Sequence, residues 1–327
     1  MSAMTTTPAR HRMSRRGFLS GSLAGAGLLA LTGCGSSVAG SGSSSGSMRT
    51  FASDKGAVRI PAQPHRVVCT DFVTTAIAYD AGVMPVGIDG KSLDYVIEAA
   101  VRKFADVPRV RSAQADLDLE AIAALQPDII LATTLTEDFY DKLTGIAPTV
   151  FITYANGGGN WPDIEARFAD ALGHADAITA LKARYARTTA TIRTGHATTL
   201  AKYRWDLIDG DPGTWYLHGP LSSHGKVLTD AGVRLGATAE ALTKAFSPMS
   251  YERIGVLTEA GALGVGVTNS GEPTAGTAEL LRQKSFAALP AERAGRVFHL
   301  EPFYPVSYGA ALALLGSLGT ALTALSA

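Results

Sequence analysis

Four groupings of residues in this chain bear on chemistry. His218 and His224 stand six positions apart across Gly219-Pro220, the one suggestive spacing among seven histidines (the others are His11, His65, His174, His196 and His299). A bare zinc or manganese ion needs three or four converging His, Cys or carboxylate ligands. The pair alone supplies too few, and haem held through Tyr or His is the related alternative. Ser222-Ser223-His224 sets a hydroxyl beside an imidazole. A nucleophile needs its base beside it in space, and no Gly-x-Ser-x-Gly elbow surrounds these residues. Gly157-Gly158-Gly159 follows a strand-like run but lacks the spacing of a phosphate or dinucleotide loop. Arg111 lies in a loop ahead of a helix start at Asp118. Its guanidinium can donate several hydrogen bonds to clustered oxygen atoms. These residues suit binding better than reaction, so no catalytic residue, resident metal or cofactor is expected.

The N-terminus reads as an address rather than as part of a fold. Arg10, Arg12, Arg15 and Arg16 precede an apolar run from Phe18 to Leu31, and nothing acidic comes before Asp54. That run is shorter than the ~20 residues a bilayer span needs. Ser14-Arg15-Arg16-Gly17-Phe18-Leu19 resembles a twin-arginine export signal. Leu31-Thr32-Gly33-Cys34 resembles a lipobox, which implies cleavage before Cys34 and lipid on that cysteine. Residues 1–34 are therefore expected to be a lipoprotein signal, and residues 35–50, almost all Gly and Ser, a flexible tether. The expected location is the outer side of the cell membrane. With Cys34 lipidated, Cys69 has no partner for an intramolecular disulfide, and it reads as a small buried hydrophobe.

Loss of residues 1–34 removes four arginines and no acid. That takes 29 basic and 29 acidic residues to 25 and 29, a net charge of −4. A mildly acidic body argues against nucleic acid as a partner. The body alternates short β-branched runs with helical patterns, which predicts parallel sheets covered by helices. Strands are expected at 66–70, 85–88, 128–133 and 149–153 in a first lobe spanning 51–161. In a second lobe spanning 195–327 they are expected at 205–208, 214–217, 261–267 and 296–300. Helices are expected at 73–81, 118–125 and 137–143, then at 226–231, 251–257, 275–282 and 306–323. Between the lobes Ile164, Phe168, Ala171, Leu172, Ala175, Ile178, Leu181, Tyr185 and Ile192 form one apolar stripe. The stripe predicts a single helix over 162–194, roughly 45 Å long. Its period is closer to 3.6 than to strict heptads, which favours a monomer over a coiled-coil dimer. The expected fold class is α/β: two Rossmann-like lobes with parallel sheets, joined by a single long helix.

From Phe51 onward the chain resembles the periplasmic binding proteins of the iron-siderophore and cobalamin type. The resemblance rests on Pro64-His65-Arg66-Val67-Val68, on Ala81 through Ile88, and on the continuous match from Asp118 to Ile130. Ser250-Tyr251-Glu252-Arg253-Ile254 and the segments Phe286–Ala291 and Gly295–Phe298 extend it. It implies a ligand cleft between lobes, a ferric siderophore (hydroxamate in particular) or a haem or cobalamin as ligand, and delivery to an ABC permease. It also implies one docking acid on each lobe. Glu137 and Glu252 match those places, with Glu120 a rival for the first. One departure is that Phe72–Ile77 lacks the Glu many members carry there.

In parallel α/β lobes ligands gather at the carboxyl ends of strands. The ligand-contact residues expected on that ground are Phe72, Thr134, Tyr154, Trp161, Trp215, Ser223, Asn269, Tyr304 and Tyr308. Arg111 joins them through the resemblance, because members often set a basic residue there. Few basic residues fall on these loops, which favours a neutral or weakly charged complex such as a trihydroxamate.

Overall fold

The computed structural model describes residues 47–326 apart from Ser92, Ala113 and Gln114. The expected signal, Cys34 and all but four residues of the expected tether lie outside the described residues. Those four do not all belong to a tether. Strand β1 (Met48–Ser53) pairs antiparallel with β2 (Gly56–Pro61), so regular structure starts before residue 51. The turn uses Gly56 at φ 110°, a conformation that a Cβ disfavours. Ser53 Oγ donates to the Phe151 carbonyl at 2.9 Å and ties the hairpin to the first lobe.

That lobe is a four-stranded parallel sheet. Its strands are β3 (Val67–Cys69), β4 (Gly87–Ile88), β5 (Ile129–Thr133) and β6 (Thr149–Ile152), in the order β4-β3-β5-β6. All four are buried throughout, which is why they read as unbroken apolar runs. Cys69 sits among them as a free, fully buried thiol, and burial raises its pKa. Helix α1 (Phe72–Asp80) follows β3 directly.

The connection to the second lobe differs from the expected single helix. It consists of α2 (Trp161–Leu172) and α3 (Ala175–Gly195). Gly173 separates them at φ 76°, and His174 N donates to the Ala169 carbonyl at 2.8 Å. A glycine in the left-handed conformation ends a helix by satisfying its last carbonyls. The apolar stripe continues on both sides of this break, so periodicity alone runs straight across it.

The second lobe has a mixed sheet rather than a parallel one. Strands β7 (Arg204–Asp211), β11 (Ala262–Gly266) and β12 (Val297–Leu300) are parallel, and β9 (Arg234–Leu235) pairs parallel with β7. β8 (Thr214–His218) runs antiparallel to β7 and to β10 (Phe246–Met249). Only Pro212-Gly213 separates the paired residues Asp211 and Thr214, with Gly213 at φ 81°. So short a link can make a hairpin but no parallel crossover. The last helix, α5 (Tyr308–Ser326), is long and apolar enough to cross a membrane. Leu314, Leu315, Leu318 and Leu322 instead bury it in the second lobe's core.

Asp206 lies inside that core at 3 % exposure, and burial pushes its pKa up to about 6. Burial also raises Asp89 to about 6. A carboxyl whose folded pKa exceeds the unfolded value of 3.8 holds its proton better when folded. Its stabilising contribution is complete below pH 3.8 and is lost as pH rises through 6. Urea denaturation should therefore have a higher midpoint at pH 5 than at pH 8. Asp206→Asn should remove about 1–1.5 kcal/mol of that difference, because pH 5 already lies above the carboxyl's unfolded value of 3.8. An unchanged difference would place Asp206 in contact with water.

Candidate functional site

The first lobe presents a series of strand ends held together by one buried carboxylate. Asp71 caps α1: its Oδ1 accepts from Thr74 N at 2.8 Å, while Asp71 N donates to Thr74 Oγ1 at 3.2 Å. Its Oδ2 accepts from Thr133 N at 3.1 Å and Thr133 Oγ1 at 2.9 Å, linking the ends of β3 and β5. Burial raises the Asp71 pKa, and these hydrogen bonds offset part of the rise. The network fixes Phe72 at the start of α1. Thr134 Oγ1 accepts from Tyr154 N at 3.0 Å and so positions Tyr154 after β6.

From there a run of aromatic rings crosses to the second lobe. Phe72 meets Tyr154 at 6.3 Å and Tyr95 at 5.8 Å between centroids. Tyr95, in the turn Leu93–Tyr95, meets Tyr304 edge-on at 5.2 Å. Tyr304 follows β12, and its hydroxyl donates to Asp209 Oδ2 near the end of β7. Asp209 Oδ1 also bonds His218 Nε2 at 2.7 Å. Desolvation, then the adjacent Asp209 charge, hold the Tyr304 phenol well above its usual pKa, so it stays a neutral donor. Burial, then Asp209 and Asp211, raise Tyr95 likewise.

Two sets of backbone contacts flank this aromatic seam. On one side Asn269 Nδ2 donates to the carbonyls of Leu93 at 3.2 Å and Val96 at 2.9 Å, and its N–H donates to Asp94 O at 2.9 Å. On the other side Gly158 bridges to Ser222, and Ser223 N donates to Gly157 O at 2.7 Å. A Cβ on Gly157 would stand 2.1 Å from that of Ala245, and one on Gly159 2.2 Å from the Leu221 carbonyl. Gly157 and Gly159 thus serve close approach of the lobes. A cavity of about 150 Å³ lies in the seam, lined by Tyr95, Asp209, Asp211, Tyr216 and Tyr304 among others. A larger groove of about 810 Å³ runs beside it, past Asn156, Leu221, Lys226, Lys244 and Phe246.

The structure brings Phe72, Thr134, Tyr154, Asn269 and Tyr304 to this seam. It places four other expected contacts in the core. Trp161 is fully buried between Tyr185 at 5.9 Å and Tyr308 at 4.8 Å. Tyr308 is itself buried, at the first turn of α5. Trp215 is fully buried and donates from Nε1 to Ser250 O at 2.9 Å. Adjacent strand residues point to opposite faces, so Tyr216 rather than Trp215 lines the seam cavity. Ser223 is fully buried as the first residue of helix α4 (Ser223–Asp230). Among the described residues its Oγ has no hydrogen-bond partner, nor does either ring nitrogen of His224, so the pair lacks the bond a nucleophile and its base share. Among the described residues no three His, Cys, Asp or Glu converge as metal ligands.

Arg111 is held inside the first lobe. Its side chain is 9 % exposed, with Nε 3.3 Å from Asp89 Oδ1, and it lies 6.0 Å over the Phe139 ring. Glu120, Glu137 and Glu252 are exposed, and Glu137 pairs with Lys55. Sequence reasoning missed Tyr95, because 91–96 carries no periodic pattern. Asp209 and Asp211 follow the strand expected at 205–208 but are not among the expected contacts.

Comparison with known proteins agrees with this architecture. The chain is 36 % identical over 130 residues to the iron(3+)-hydroxamate-binding protein YxeB of Bacillus subtilis, a stretch covering 39 % of this chain and 37 % of that protein. It is 32 % identical over 160 residues to the probable siderophore-binding lipoprotein YfiY of the same organism, 46 % of each chain. The chain thus spans less than half the length of the curated relatives it matches. Among solved structures it resembles the siderophore periplasmic binding protein from the fuscachelin gene cluster of Thermobifida fusca. The TM-score is 0.71 and the identity 27 %, over 81 % of this chain and 98 % of that one. A family model described as periplasmic binding protein matches residues 67–304, well over half of the chain. With two α/β lobes meeting at their strand ends, the chain belongs to the periplasmic binding protein family, a family of solute-binding proteins.

Proposed function

We propose that this chain is the capture component of an ABC importer and that it binds a ferric siderophore of hydroxamate type in the cleft between its lobes. Iron enters only as part of that cargo, and the protein works as a monomer without catalysis. After twin-arginine export, lipid on Cys34 holds it to the outer face of the cell membrane.

The observation that carries this reading is the composition of the seam. Its rings (Phe72, Tyr95, Tyr154, Tyr304) offer flat apolar surface, and its phenols offer neutral hydrogen bonds. Its charged groups are Asp209 and Asp211, while Arg111 is turned to Asp89. Three hydroxamates cancel the charge of ferric iron, whereas three catecholates leave an anion that these carboxylates repel. A relative described as hydroxamate-binding points the same way. The seam cavity of about 150 Å³ is below the few hundred Å³ of an ordinary ligand site, so the lobes part at Tyr95 and Tyr304 to admit the complex.

A panel tests this directly. The protein lacking residues 1–34 is titrated with a ferric trihydroxamate, a ferric catecholate, haem and cobalamin, following tryptophan fluorescence. The trihydroxamate is expected to bind tightest. Tighter binding of the catecholate would overturn the ligand class, and silence for all four would overturn the receptor reading.

The permease is met by Glu137 and Glu252, whose exposed charges steer and register the encounter. A hydrogen bond from Ser250 lowers the Glu252 pKa. Glu252→Lys should abolish uptake by whole cells while leaving ligand affinity unchanged. Normal uptake would remove Glu252 from the docking surface.

A further inference from the structure

The first amides of α5 have an unusual set of acceptors. A helix N-terminus leaves its leading N–H groups without partners inside the helix. Here Tyr308 N donates to Glu165 Oε2 at 2.7 Å and Gly309 N to Asp80 Oδ2 at 2.5 Å. Ala310 N donates to Ser307 Oγ at 3.3 Å, and Ala311 N to Ser307 O at 2.8 Å. All four leading amides are satisfied, two of them by carboxylates from other elements. Asp80 ends α1 of the first lobe, and Glu165 stands in the first turns of α2. A Cβ at position 309 would fall 2.2 Å from Asp80 Oδ1, so only glycine lets Asp80 reach the helix.

Consecutive amides hold the two carboxyl groups side by side. Glu165 is fully buried, and among the described residues neither acid has a salt bridge. Glu165 is out of water and Asp80 is half-buried, and two unpaired carboxylates this close do not both stay charged. We infer that Asp80 and Glu165 share one proton and together form a latch that fastens the last helix of the second lobe to the first lobe and to the connecting helix. The protonated carboxyl donates to the ionised one, and each accepts one amide of α5. The titratable groups around Tyr308 on α5 are Asp163 on α2, Lys182, Tyr185 and Arg193 on α3, and the Lys226–Asp230 pair on α4, to which Tyr185 is bonded. None of them supplies a cation to the two acids.

The direction of the pH effect follows from this arrangement. Burial and the adjacent Asp80 hold the proton on Glu165 well above the ordinary carboxyl range. The latch is therefore whole while Glu165 keeps its proton and opens as pH rises through that folded value. The full body, residues 35–327, is studied by amide hydrogen exchange between pH 6 and 9.5, with rates corrected for intrinsic exchange. Protection of the Tyr308 and Gly309 amides should fall about tenfold or more across this range in the wild type. Glu165→Gln mimics the protonated acid, since its amide group can still donate to Asp80 and its carbonyl can still accept from Tyr308 N. It should keep that protection flat. Wild-type protection independent of pH would overturn the latch, and that result needs no variant to fold. The same pH-dependent fall in Glu165→Gln would also overturn it. Neither outcome depends on which ligand the cleft holds.

Discussion

Trp161→Ala is expected to lower folding stability by about 3–5 kcal/mol, the usual loss when a large buried aromatic is truncated. Trp161 is fully buried, and its indole meets Tyr308 and Tyr185 edge-on at the joint of the two lobes. Truncation opens a cavity that three elements border: α2, α3 and α5. Edge-on aromatic pairs add about 0.5–1.5 kcal/mol each beyond the area they bury. Urea denaturation measures the loss. Trp161→Phe refills most of the space and should leave ligand affinity within about twofold, less than 0.5 kcal/mol. A tenfold loss of affinity in the phenylalanine variant, with stability preserved, would return Trp161 to the ligand site.

The second large effect is on binding. Replacing Tyr95 and Tyr304 together by alanine should weaken ferric trihydroxamate binding about 100-fold, or roughly 2.7 kcal/mol. Each ring offers apolar surface and a hydroxyl, the combination that dominates recognition of amphipathic ligands. The expected sign distinguishes two roles. In this structure the rings touch each other across the seam at 5.2 Å. If they only held the lobes shut, removing them would ease opening and raise affinity. If they pack the ligand once the lobes part, affinity falls. Tyr304→Phe keeps the ring and removes the hydrogen bond to Asp209, so its effect should be smaller than that of Tyr304→Ala. Calorimetric titration of the variants decides between the roles.

Much of the architecture was legible because the strands near the centre of each lobe are buried on both faces. Such strands read as continuous apolar runs, and the observed ranges of β3, β5 and β6 lie within those expected. Two features were lost for a local reason. Gly173 breaks the connecting helix while the apolar stripe continues past it, and only the left-handed φ reveals the break. Pro212-Gly213 makes a hairpin where a parallel sheet was expected, although the two-residue link is itself a readable turn signal. The site was less legible than the fold. A residue just past a strand end can face the cleft or the core, and composition is the same for both. Tyr304 turned outward to Asp209, whereas Tyr308, four residues on, turned inward to Trp161. The loop position leaves Arg111 an open donor in the sequence, but Asp89, which no local pattern marks as its partner, pairs with it.

The proposed function requires the interlobe seam to capture an intact ferric hydroxamate complex. Calorimetric titration of residues 35–327 with a ferric trihydroxamate, and in parallel with the same molecule free of iron, tests it most directly. Saturable one-to-one binding of the iron complex is expected at about 1 µM or tighter, near −8 kcal/mol, with much weaker binding of the iron-free form. No binding of the iron complex at about 1 mM, or equal affinity for the two forms, would contradict it.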